Sequence, residues 1–128
     1  MNIEHIALWI KDLEVMKEFY CTYFQAVSNT KYVNEHTGFS SYFLSFGEGK
    51  TRIELMSRAD ISEAAEKNRT FGLAHFAFSV GSKEAVDTFT EQLRTAGYTI
   101  AGEPRTTGDG YYESVVLDPE GNLVEITV

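Results

Sequence analysis

Apolar and polar side chains alternate from the first residues of the chain. From Ile3 onward, Ile6, Leu8 and Ile10 share one face while His5, Ala7 and Trp9 share the other, the two-residue period of a strand with one apolar and one mixed face. Asp12 then stands where a helix cap is needed, ahead of an apolar stripe at Leu13, Met16, Phe19 or Tyr20, Tyr23 and Phe24. The same succession returns seventy residues later. IEHIALWIKDLEVMKEFYCTYFQAV, from Ile3, aligns without gaps on LAHFAFSVGSKEAVDTFTEQLRTAG, from Leu73. In the second copy Phe76, Phe78 and Val80 oppose His75, Ala77 and Ser79. Ser82 caps a helix with the stripe Ala85, Val86, Phe89, Leu93 and Ala96, and Gly97 is placed to end it.

Three further strands complete each half. In the first they are expected at Thr30 to Asn34, Ser41 to Phe46 and Thr51 to Met56, with Gly47-Glu48-Gly49-Lys50 as a turn. In the second they are expected at Tyr98 to Ala101, Tyr111 to Leu117 and Leu123 to Val128, the last two joined by Asp118-Pro119-Glu120-Gly121-Asn122. Gly102 to Gly110 reads as a long glycine-containing loop, a plain surface connection ahead of the alternative of a lid, and His36 as an exposed turn residue. The expectation is therefore a single α+β domain over residues 1–128. It consists of one βαβββ repeat over about 1–57 and another over about 72–128, with the polar linker RADISEAAEKNRTFG between them, which has room for a short helix.

Composition narrows the function without changing this picture. With 43% hydrophobic residues and 2 prolines the 128-residue chain is that of a folded domain. A net charge of -8 without any lysine or arginine cluster leaves no footprint for nucleic acid or an anionic membrane. No apolar run spans a bilayer and the N-terminus does not resemble a signal peptide, so a cytoplasmic protein is expected. Cys21 is the one cysteine, which excludes an internal disulfide and a thiolate-rich zinc site.

The last strand of each half carries the chemistry. In RIELM, Ile53 and Leu55 face one way and Glu54 the other; in LVEITV, Val124, Ile126 and Val128 oppose Glu125. Histidine and glutamate are separated by 49 residues in the first half and 50 in the second. A lone histidine or glutamate on a mixed face is ordinarily just solvated. Four accidents, however, have no reason to share register and face between otherwise different halves. If both sheets curve around one cavity, His5, Glu54, His75 and Glu125 meet there, and two neutral imidazoles with two carboxylates neutralise one divalent cation. Nitrogen and oxygen donors without thiolate suit nickel, zinc, cobalt, manganese or ferrous iron.

The EHIALWIKDLE opening, the GLAHFAFSV second start and the DPEGNLVEI close, set in paired βαβββ units, resemble the vicinal oxygen chelate superfamily of glyoxalases, bleomycin-resistance proteins and ring-cleaving dioxygenases. The resemblance spans essentially the whole chain. It implies a curved, half-open barrel around a metal site, and a homodimer with the site at the subunit interface. The His, Glu, His, Glu order is most similar to glyoxalase I, the lactoylglutathione lyase type. That similarity implies proton transfer through a metal-bound enediolate on a thiol hemithioacetal of a 2-oxoaldehyde, with Glu125 as general base, Glu54 able to exchange roles with it, and the histidines as plain ligands. Where glyoxalase I holds glutathione, this chain departs: Trp9, Arg58 and Phe71 replace an arginine, an asparagine and a second arginine. Trp9, Arg58, Phe71 and Arg105 are the candidate substrate contacts, and Arg69 is a further guanidinium for an anionic substrate. An epimerase acting beside a thioester and a small-molecule binding or resistance protein remain as alternatives.

Overall fold

The computed structural model describes residues 2–62 and 71–128. The linker's expected short helix and Arg69 lie wholly or largely outside them. The chain divides into two compact units, Met1–Glu63 and Ala64–Val128. Each is a mixed sheet with one helix on its apolar face.

The first unit runs β1 (His5–Trp9), α1 (Leu13–Tyr23), β2 (Val27–Ser28), β3 (Tyr32–Asn34), β4 (Phe39–Ser45) and β5 (Arg52–Ser57). Its sheet order is β1-β5-β4-β2, with β3 also pairing β4. The return to β1 is parallel, Ile6 opposite Ile53 and Leu8 opposite Leu55, while β4 and β5 are antiparallel. Asp12 caps α1 as its sequence position requires, its Oδ1 accepting from the amides of Glu14 and Val15, both at 3.1 Å. Leu13, Met16, Phe19 and Tyr20 are buried, together with Leu44, Ile53 and Leu55 of the sheet on which the helix packs. Both Phe19 and Tyr20 are inside, so the stripe is wider than a single choice between them. Strand β2 is an addition to the expected pattern. The chain leaves α1 through Gln25, whose φ is 56°, and pairs Val27 with Ser45 and Ser28 with Leu44. Two residues are too few to show a period.

The second unit runs β6 (His75–Ser79), α2 (Lys83–Thr95), β7 (Ile100–Thr106), β8 (Tyr112–Leu117) and β9 (Leu123–Thr127), in the order β6-β9-β8-β7. Here too the first and last strands are parallel, Phe76 opposite Val124 and Phe78 opposite Ile126. Ser82 Oγ caps α2 by accepting from the Ala85 amide at 3.1 Å. Gly97 follows the helix in the left-handed region, φ 92°. Val86 and Leu93 pack against a sheet face holding Val116, Val124 and Ile126, all buried. Ala96 is exposed, and Thr90 takes a buried position in the stripe. The Thr90 hydroxyl is satisfied there by the Val86 carbonyl at 2.6 Å and by Ser114 Oγ at 2.6 Å.

The connection expected over Gly102 to Gly110 is mostly strand. β7 continues to Thr106 and pairs Arg105 with Glu113, so the loop reduces to the turn after it. Gly102 and Pro104 obscured this, since both weaken a strand pattern. They are tolerated because β7 ends the sheet order and its pairing shifts register between Gly102 and Arg105. The expected loop is therefore corrected to an edge strand and a tight turn. In that turn Thr107 Oγ1 accepts from the Tyr111 amide at 3.1 Å.

Candidate functional site

The parallel pairing of first and last strands builds the same feature twice. In the first unit Ala7 lies opposite Glu54 and His5 opposite Arg52, so His5 and Glu54 are diagonal neighbours on the mixed face. His5 Nε2 stands 3.8 Å from Glu54 Oε2. In the second unit Ala77 lies opposite Glu125 and His75 opposite Leu123, and His75 Nε2 stands 3.2 Å from Glu125 Oε1. Each glutamate side chain is mostly covered, 14% exposed for Glu54 and 18% for Glu125, while the imidazoles are 39% and 44% exposed. A covered carboxylate backing an accessible ring nitrogen can take up a cation from solvent.

The fit to a metal rests on these separations and the donor types. At metal–donor bonds of about 2.1 Å, two neighbouring donors on one ion stand about 3.0–3.5 Å apart. The His75–Glu125 pair falls inside that span and the His5–Glu54 pair a few tenths of an ångström outside it. The structure thus brings together two His–Glu pairs, one per unit. Among the described residues no group of three or more histidine, cysteine, aspartate or glutamate side chains is gathered tightly enough to hold an ion.

His5 is also gripped from behind. Its Nδ1 meets Glu4 Oε2 at 2.5 Å, and Glu4 in turn accepts from Arg52. Both contacts, His5 first, hold the Glu4 carboxyl below its usual range. The Arg52 guanidinium lies over the Phe43 ring, 4.2 Å from its centroid, and the same ring meets the His5 imidazole edge-on at 5.4 Å. Sequence pattern alone did not single out Glu4, Arg52 or Phe43. Their signal lay in register, because the residue two before Glu54 is the cross-strand partner of His5.

The candidate substrate contacts are dispersed. Trp9 is exposed on the His5 face, edge-on to Phe39 at 6.1 Å. Arg58 follows β5, with its guanidinium 5.4 Å from the Trp9 centroid and its Nε donating to Asp60 at 2.5 Å. That bond lowers the Asp60 carboxyl below its usual range. Phe71 is fully exposed ahead of β6. Arg105 lies on β7, its guanidinium 3.5 Å from Glu113 Oε1, so this cation already has a carboxylate partner. His36 is exposed in the turn after β3, its amide bonded to Asn34 Oδ1 at 3.0 Å.

Comparison with known proteins agrees with the fold. Residues 2–126 match the Glyoxalase/Bleomycin resistance protein/Dioxygenase superfamily, and the chain belongs to it. It is 27% identical over 128 residues to the uncharacterized protein YqjT of Bacillus subtilis, covering 97% of this chain and 96% of that one. Among solved structures it is similar to a glyoxalase family protein from Enterococcus faecalis, with a TM-score of 0.81 and 20% identity over 99% of this chain and 97% of that one. It is also similar to glyoxalase I from Zea mays, with a TM-score of 0.80 and 22% identity over 98% of this chain and 44% of that chain. The fold is glyoxalase-like, α+β with two βαβββ-like units. No described helix is long and apolar enough to cross a membrane.

Proposed function

We propose that this protein is a metal-dependent lyase or isomerase of the glyoxalase I kind, in which His5, Glu54, His75 and Glu125 jointly hold one divalent ion, nickel or zinc foremost. The observation that supports it is the repetition: each unit sets a histidine Nε2 against a covered glutamate carboxylate, at the same register of its first and last strands. Two neutral imidazoles and two carboxylates balance a divalent charge, and the donor set suits a borderline metal. Both units then form one domain, and the protein acts in the cytoplasm as a homodimer with the site at the subunit interface.

The substrate class is a hemithioacetal of a 2-oxoaldehyde with a small thiol. A divalent ion in this site supplies Lewis-acid polarisation of two adjacent substrate oxygens. Glu125 would take the proton from the carbon bearing sulfur and hydroxyl and return it to the neighbouring carbonyl carbon, while the hydroxyl proton passes to the former carbonyl oxygen, so that a thioester and a new hydroxyl form with no net gain or loss of electrons. Glu54 holds the ion and can exchange roles with Glu125. His5 and His75 act as neutral ligands. Trp9, Arg58, Phe71 and Arg105 are the candidate contacts for the thiol portion, and the departure of Trp9, Arg58 and Phe71 from the glutathione-holding pattern favours a thiol other than glutathione.

The test supplies methylglyoxal and a panel of low-molecular-weight thiols to protein loaded in turn with nickel, zinc, cobalt, manganese and ferrous iron. Thioester formation with at least one thiol is expected. No turnover with any combination contradicts the proposal. A ligand taken up tightly, released unchanged and bound equally by Glu125→Gln would mark a binding protein instead.

A further inference from the structure

The two halves match in their ligands but not in what stands behind them. In the first unit His5 is enclosed by a ring of contacts: Nδ1 to Glu4, Glu4 to Arg52, Arg52 over Phe43, and Phe43 edge-on to the imidazole. The aligned position of Glu4 in the second half is Ala74. The strand partner of His75 is Leu123, where that of His5 is Arg52. Opposite Glu125 stands Val115, where Phe43 stands opposite Glu54. All three supports of His5 are thus replaced in the second half by residues that can neither accept from an imidazole nor bind a carboxylate.

We infer that Glu4 is a positioning residue for His5, held in place by Arg52 and Phe43, which keeps the Nδ1 proton on the carboxylate side and leaves the Nε2 lone pair facing Glu54. The inference rests on the proposed metal site. Chemistry and geometry both favour it. A neutral imidazole has one proton, and a carboxylate at 2.5 Å from Nδ1 claims it, whereas Nε2 is 3.8 Å from Glu54, beyond hydrogen-bond reach. The lone pair on Nε2 is what a cation requires. A carboxylate behind a ligating imidazole fixes its tautomer and orientation and raises its basicity. The first unit is accordingly the one in which the histidine is preorganised.

Nitrogen-15 NMR of the metal-free protein, at a pH where the imidazoles are neutral, reads the tautomer of each ring directly. In the wild type His5 is expected as the Nδ1–H form. In Glu4→Ala it is expected to become a mixture of tautomers, while His75 and the circular dichroism spectrum stay unchanged. Nickel affinity by calorimetry should fall about 10–100-fold in Glu4→Ala and less in Glu4→Gln, which keeps an acceptor oxygen. A His5 ring that is Nε2–H in the wild type, or unaltered by Glu4→Ala, overturns the inference. A wild type that takes up no ion while the tautomer still follows Glu4 refutes the metal site and leaves the positioning role standing.

Discussion

His75 and Glu125 lie on the same face of paired parallel strands with Nε2 and Oε1 3.2 Å apart, the closer of the two His–Glu pairs. Glu125, the more closely paired of the two covered glutamates, is the proposed general base. Glu125→Gln is therefore expected to lower turnover about 10²–10⁴-fold, the contribution of a general base. His75→Ala, which removes a ligand and no base, should instead abolish ion retention and activity together. Turnover and bound metal measured side by side on the two variants check the division of roles.

The buried hydroxyl pair of the second unit sets a stability expectation. Thr90→Val keeps the shape but leaves Ser114 Oγ without the partner it has at 2.6 Å, so a loss of about 1–3 kcal/mol is expected. Thr90→Val combined with Ser114→Ala removes both hydroxyls and should cost clearly less than the sum of the single changes. Urea midpoints of the three variants measure this.

Asp118 organises the turn that leads into the strand of Glu125. It is buried, its Oδ1 accepting from the amides of Glu120 at 3.0 Å and Asn122 at 2.9 Å, and its Oδ2 from Asn122 Nδ2 at 2.8 Å. Gly121 completes the turn at φ 81°. Asp118→Ala is expected to lower stability by about 1–3 kcal/mol, and to weaken metal binding by loosening β9. Thermal unfolding with and without nickel checks both effects.

A surface charge cluster on the first helix predicts a pH dependence. Glu14 on α1 is bonded by Lys17, Lys31 and the Tyr42 hydroxyl, at 2.8, 3.1 and 2.9 Å. These bonds lower its carboxyl to about 2. A depressed carboxylate contributes stability that is complete above its ordinary value near 4.5 and is lost as pH falls toward 2. Because Glu14 is 55% exposed, the contribution is that of a screened surface cluster, below about 1 kcal/mol. Stability of wild type and Glu14→Gln should converge between pH 4.5 and 2 and differ most at neutral pH.

Much of this architecture was legible because it repeats. The strand alternation around His5 and His75, the Asp12 and Ser82 caps and the Gly97 terminus all stand where periodicity and capping chemistry put them. What escaped did so for local reasons. Thr90 breaks an apolar stripe, yet its hydroxyl is satisfied inside. Gly102 and Pro104 weaken a strand pattern that an edge strand tolerates, and Val27–Ser28 is too short to show a period. The support behind His5 was hidden because Glu4 and Arg52 are far apart in sequence. Only the parallel register of β1 and β5 makes them neighbours. Glu54 and Glu125 were legible as partners of the histidines because they close equivalent strands.

The central claim is that one ion is held by side chains from both units. Metal-free wild type, His5→Ala and His75→Ala are each equilibrated with nickel, freed of excess ion and analysed for nickel bound per chain. The account predicts one ion per chain in the wild type and loss of the retained nickel in both variants, although the two histidines belong to different units. A wild type that retains no ion, or a loss confined to one of the two variants, would contradict it.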